Sequence, residues 1–136
     1  MMNLTDLQKE YEKHLTSHPF TGNPSNLYDS MNYILTLGGK RVRPLLAIIG
    51  NRIANGEIHH GLEVAHIIEL FHNFSLIHDD IMDQADIRRG QPTVHKKWDE
   101  PTAILSGDNM LVKTFEYLLN YKGPNREIIA KIYTQT

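Results

Sequence analysis

The sequence predicts an all-α protein, a bundle of helices around one core, and three observations lead there. Apolar residues recur at spacings of three and four along most of the chain, the period of a helix face and not of a strand. Gly, Pro and Asn interrupt that pattern at intervals that leave segments of helix length. The 136 residues, 40% hydrophobic and 22% charged, are enough for a single domain with a real core and exclude a disordered chain.

In chain order, Leu4, Leu7, Tyr11 and Leu15 form one apolar stripe, predicting a helix over 4–15 that Ser17-His18-Pro19 ends. Asn23-Pro24 reads as an N-cap followed by proline in the first helical position, opening a second helix that carries Leu27, Met31, Ile34 and Leu35 and stops at Gly38-Gly39. A third starts near Pro44 and runs through Leu45, Ile48, Ile49 and Ile53 to Asn55-Gly56. The fourth, about 62–83, is apolar on nearly every side from Val64 to Ile77, the pattern of a helix surrounded by protein. Residues 84–92 read as a polar loop. A fifth helix starts at Pro101 and ends at Gly123-Pro124, and a last one, with Ile128, Ile129 and Ile132, is still running at Thr136. That ending fits either a truncated chain or a frayed terminal helix.

Composition narrows the function classes. Lys+Arg number 14 against 16 Asp+Glu, a formal charge of -2, which lacks the basic excess of a general nucleic-acid binder. With no Cys there is no disulfide framework and no thiolate ligand or nucleophile, so the cytoplasm is the default compartment. Met1 to Glu10 is too polar for a signal peptide, and no apolar run approaches the ~20 residues of a membrane span.

Three clusters carry chemistry. Asp79 and Asp83 lie one turn apart on one face of the fourth helix, with Asp80 to the side. Like charges at this spacing repel, and they stand at the negative end of the helix dipole. A bound cation compensates both effects, and carboxylates without sulfur suit a hard ion such as Mg2+ shared with a phosphate. A solvated acidic helix end remains the other reading of the motif by itself. Between the second and third helices, Gly38-Gly39-Lys40-Arg41-Val42-Arg43-Pro44 crowds three cations into four residues, a phosphate cradle or a solvated basic turn. Arg88 and Arg89 follow the aspartates closely, so acid cluster and cations read together as metal and anion clamps on one negatively charged ligand. His72, seven residues before Asp79, shares its face and is read as a ligand-binding group. His78 is read as structural, His59 and His60 as a loop pair, and His14 and His18 as surface residues.

At this point the sequence resembles the trans-isoprenyl diphosphate synthases, the polyprenyl synthetase family, and most of all its geranylgeranyl type. The blocks that carry the resemblance are Gly38 to Pro44, Glu69-Leu70-Phe71-His72, and His78-Asp79-Asp80-Ile81-Met82-Asp83 continuing to Asp86-Ile87-Arg88-Arg89-Gly90. Pro92 to His95 and Gly107-Asp108 add to it, and the match covers nearly everything from Leu27 onward.

The resemblance implies an isoprenoid synthase helical bundle and a prenyltransferase that joins an allylic diphosphate to isopentenyl diphosphate in isoprenoid biosynthesis. It implies Mg2+ bound by Asp79 and Asp83, with Asp80 as a weaker ligand or a supporting group. It assigns Arg88 to the allylic diphosphate, and Lys40, Arg43, His72 and Arg89 to the diphosphate of isopentenyl diphosphate. It implies a chain-length pocket at Phe74 and Ser75, although on an ideal helix Phe74 stands about 140° from Asp79 and Ser75 only about 40°. It also implies a homodimer.

The family's second aspartate-rich motif is absent after Asp108. Residues 1–136 are therefore expected to be the N-terminal part of a single synthase domain, inactive alone, with bare apolar faces that drive self-association. The alternative is a non-catalytic family subunit that modulates a partner synthase, which the intact aspartates disfavour. A terpene cyclase would not need the second diphosphate clamp, and a purely structural bundle leaves the co-occurrence of aspartates and arginines unexplained.

Overall fold

The computed structural model describes residues 3–135, and the expected all-helical architecture is what it shows. Among the described residues the order is α1 Leu4–Thr16, α2 Ser25–Thr36, α3 Val42–Ile53, α4 Ile58–Met82, β1 Ile87–Arg88, β2 Gln91–Pro92, α5 Val94–Lys97, α6 Glu100–Asn120 and α7 Arg126–Gln135. No described helix is long and apolar enough to cross a membrane.

The central helix α4 packs on α3 along one side and on α6 along another, with α1 and α2 completing the layer. Ile48, Ala65, Leu70, Ile77, Ala103 and Met110 are fully or almost fully buried between them. Each of the larger side chains among these, removed from water, contributes roughly 1.5–3 kcal/mol before the entropy of ordering is subtracted. Gly107 lets α6 approach α4 closely, because a Cβ there would meet the His78 ring. Ser30 and Ser106 share a buried hydrogen bond of 2.5 Å that joins α2 to α6.

Helix starts differ from the sequence expectation for identifiable reasons. Pro24, not Asn23, is the cap of α2, because its extended ψ of 143° makes Ser25 the first helical residue. The third helix begins at Val42, two residues before Pro44, since the first turn has no intrahelical partner for its N–H groups and proline loses nothing there. The fourth begins at Ile58, so His59 and His60 lie in its first turn and are not a loop pair; their polarity hid a turn that faces Glu57 and Glu63. Nor is α4 enclosed on all sides, because Phe71 remains 41% exposed. The 84–92 segment is a short antiparallel hairpin, tipped by Arg89 and Gly90 at φ 52° and 77°. The one-turn helix α5 had no signal in the periodicity.

Arg41 ties these elements together. Its backbone is left-handed (φ 48°, ψ 35°), and its side chain is buried. Its Nη1 donates to Glu69 Oε1 at 2.6 Å, its Nε to Glu12 Oε1 at 2.8 Å and its Nη2 to the Leu35 carbonyl at 2.6 Å. Burial alone would lower its pKa, but the bonds to Glu12 and Glu69 outweigh it and hold the guanidinium charged. Arg41→Leu should cost about 3–5 kcal/mol in urea unfolding, because Glu69 would be left buried without its partner. The double variant Arg41→Leu/Glu69→Leu should recover much of that loss. Equal stability of wild type and single variant would show that the pair does not hold the fold.

Candidate active site

Three elements bring the site together: the loop before α3, the C-terminal half of α4 and the hairpin after it. The Gly38-Gly39 turn has positive φ at both residues, 75° and 136°. A Cβ on Gly39 would lie 2.9 Å from Arg89 Cζ, so glycine is what allows the Arg89 side chain to lie across the loop, where it donates to the Gly38 carbonyl.

Lys40, Arg43, His72 and Arg89 line one cavity of about 160 Å3 with Arg41, Val42 and Glu69. Lys40 and Arg43 are exposed, so their charges are available to a ligand. Arg41 is not: the crowded basic run divides into two outward cations and one inward cation neutralised by Glu69 and Glu12. Arg43 Nη1 lies 3.4 Å from His72 Nε2. Partial burial, followed by the charge of Arg43, holds the His72 pKa below its ordinary value. The imidazole is therefore neutral at pH 7. Burial is also the leading cause of the lowered Arg89 pKa, with Arg41 adding to it. The cavity is concave, and Lys40, Arg41, Arg43 and Arg89 give it a concentration of positive charge.

The aspartates occupy the end of α4. Asp79 and Asp83 are exposed and receive no hydrogen bond from another described side chain, so they are free to hold a hard cation. Asp80 is buried at 3% exposure and is gripped in bidentate fashion by Arg88, Nε to Oδ2 at 2.7 Å and Nη2 to Oδ1 at 2.8 Å. That hydrogen bond is the main reason the Arg88 pKa is raised, with Asp79 and Asp83 adding to it. Among the described residues no three His, Asp or Glu side chains already stand in ligating geometry.

The pocket beside the cradle has a volume of about 350 Å3 and is lined by Arg43, Ile68, Phe71, His72, Ser75 and Tyr133. Ser75 is part of it. Phe74 lies behind it, with its ring centroid 5.2 Å from Phe71 and 5.1 Å from His78. Phe71 and Ile68 were not singled out from the sequence, yet 68, 71, 72 and 75 follow the i, i+3, i+4, i+7 rule and so share one face with His72. Glu69 and Glu12 were missed as well; only the fold could pair them with Arg41.

The structure is thus a helical bundle that sets a cavity lined by cations beside two exposed carboxylates. The family model described as Polyprenyl synthetase matches residues 24–136, and the chain belongs to that family. It is 43% identical over 123 residues to a geranylgeranyl diphosphate synthase of Methanosarcina mazei, covering 87% of this chain and 38% of that protein. A farnesyl diphosphate synthase of Micrococcus luteus is 47% identical over 98 residues, 71% of this chain and 34% of that protein. A crystal structure of a geranylgeranyl pyrophosphate synthase superposes with a TM-score of 0.93 at 41% identity, covering 99% of this chain and 41% of the other. The chain thus spans about two fifths of the length of these relatives.

A bound diphosphate would favour protonated His72, whose pKa in the free protein is lowered. Anion affinity should therefore rise as pH falls from about 8 towards 6, with proton uptake on binding. His72→Ala should weaken diphosphate binding by roughly tenfold and flatten that profile, as calorimetry in buffers of different ionisation enthalpy would show. A profile identical in wild type and variant would remove His72 from the cradle.

Proposed function

We propose that this chain supplies the diphosphate- and metal-binding wall of a prenyltransferase that condenses an allylic diphosphate with isopentenyl diphosphate in isoprenoid biosynthesis. The observation that carries this reading is the placement of the Lys40–Arg43–His72–Arg89 cradle and the free Asp79–Asp83 pair on and around one helix. Two anionic substrates need two binding places, and the cation-lined cavity and a metal held by the aspartates would serve as these two.

In this reading the cradle holds isopentenyl diphosphate, with Arg43 as a fork, Lys40 and Arg89 as charges and His72 as a switchable donor. Asp79 and Asp83 would hold Mg2+, which would supply positive charge to a departing diphosphate. Both Asp80 oxygens are engaged by Arg88, which favours Asp80 as the group that orients this arginine towards the allylic diphosphate over a direct ligand. The apolar pocket takes the prenyl tail and keeps water from the allylic cation. We place the reaction in the cytoplasm.

A diphosphate carrying metal ions is best held by carboxylates on two facing walls, and this chain has one aspartate-rich motif. The 136 residues alone are therefore expected to bind but not to condense. Calorimetry should give Mg2+-dependent binding of a bisphosphonate that is lost in Asp79→Ala/Asp83→Ala. Binding without any need for Mg2+ would defeat the assignment of the aspartates, and condensation of labelled isopentenyl diphosphate by the purified chain would defeat the claim of incompleteness.

Ser75, with Phe74 bracing the wall behind Phe71, is proposed to limit tail length. Ser75→Phe should weaken binding of farnesyl diphosphate roughly 10- to 100-fold by overfilling the pocket, and leave isopentenyl diphosphate nearly unaffected. Equal losses for both ligands would place the tail elsewhere. Leu105, Val112 and Leu119 on α6 and Ile128 and Ile132 on α7 are between 58% and 72% exposed, and we propose that they self-associate as a homodimer. A clean monomer by light scattering at high concentration would contradict this.

A further inference from the structure

At the opposite end of α4 from the aspartates, three histidines meet in a pocket that the prenyltransferase reading does not use. His14 and His18 stand four residues apart at the end of α1, and His66 faces them from α4. Ring centroids are 4.5 Å apart for His14–His18, 5.5 Å for His14–His66 and 6.1 Å for His18–His66. Two imidazoles bound to one tetrahedral ion at nitrogen distances of 2.0–2.1 Å place their ring centres about 5 Å apart. The observed spacings bracket that value.

The second observation is His66 itself. It is 1% exposed, and neither ring nitrogen has a hydrogen-bond partner. A buried imidazole with both nitrogens unsatisfied is costly, and this one forms a wall of a pocket of about 200 Å3 that it shares with His14, His18 and Glu63. Glu63 precedes His66 by three residues, so its carboxylate rises on the same face of α4. Burial, with the neighbouring histidines adding to it, lowers the His66 pKa to about 3 and also lowers that of His14. These two rings are thus in the neutral form that binds metals.

We propose that His14, His18 and His66 bind a divalent transition ion of the zinc type, with Glu63 or water completing the shell. Imidazole donors select Zn2+, Co2+ or Ni2+ over Mg2+, so this site and the aspartates take different ions. As they stand the rings are tilted against one another, at 37°, 79° and 49°, and their nitrogens do not meet at one point. The ion would turn the more accessible His14 and His18 towards His66. His18 Nδ1 lies 2.8 Å from the His14 carbonyl, which leaves its Nε2 as the ligating atom. Such an ion would clamp α1 to α4, which otherwise share few contacts.

The test is a titration of Co2+ into the whole chain with Mg2+ in excess to fill the carboxylates. One Co2+ per chain should bind, develop the visible absorption of nitrogen-ligated cobalt, be displaced by Zn2+ and raise the melting temperature. His14→Ala, at a partly exposed position, should weaken binding at least tenfold and abolish the absorption while leaving the helical circular dichroism unchanged, since even groups behind a metal ligand cost about 10- to 100-fold when removed. His59→Ala/His60→Ala should leave both intact. The proposal is overturned if no absorption develops, if it survives His14→Ala, or if it depends on His59 and His60 instead.

Discussion

The buried guanidinium of Arg41 sets the geometry on which the rest of the site depends. It sits between a loop and three helices, taking Glu69 from α4, Glu12 from α1 and a carbonyl from the end of α2. Because the pair is out of water, its bonds are short and directional and tolerate little displacement. Its left-handed backbone turns the chain so that Lys40 and Arg43, on either side, project into solvent while Arg41 points inward. A run of three cations would otherwise repel itself into an extended loop. The internal carboxylates resolve that conflict and leave two charges facing a ligand.

The site also shows how one helix separates opposite charges. His72 and Asp79 are seven residues apart, about 10 Å along the axis of α4. Near the first, cations gather from the loop and the hairpin tip; near the second, carboxylates gather at the negative end of the helix dipole. Arg88 and Arg89 are neighbours in sequence but serve the two regions separately, Arg88 bound to Asp80 and Arg89 to the Gly38 carbonyl. The tight hairpin, with positive φ at Arg89 and Gly90, is what sends them to different partners. Membership of the polyprenyl synthetase family gives this arrangement a chemical context.

Much of this was legible in the sequence. The helix faces followed from apolar spacing, and five breaks followed from Gly and Pro. Clustered charge marked Lys40 to Arg43 and Arg88-Arg89 separately, and it was the family resemblance that grouped Lys40, Arg43, His72 and Arg89, which the structure finds lining one cavity. The helix starts at Val42 and Ile58 were misjudged because a first turn needs no proline-free or apolar sequence. His66 was passed over because a histidine within an apolar run gives no sign of what it faces.

By itself, then, the sequence determined the class of fold, and it marked the clustered cations and the carboxylates as candidates for a ligand. The fold class depends on periodicity and the clusters on charge, which are properties of neighbours along the chain. Only the tertiary structure decided that Arg41 is a strut and not a ligand group, that Asp80 is held by Arg88, that Phe71 and not Phe74 lines the pocket, and that His14, His18 and His66 meet. Each of these depends on contacts between residues from 8 to 52 positions apart, or on the rotation of a side chain about its helix. Local pattern carries no information about either.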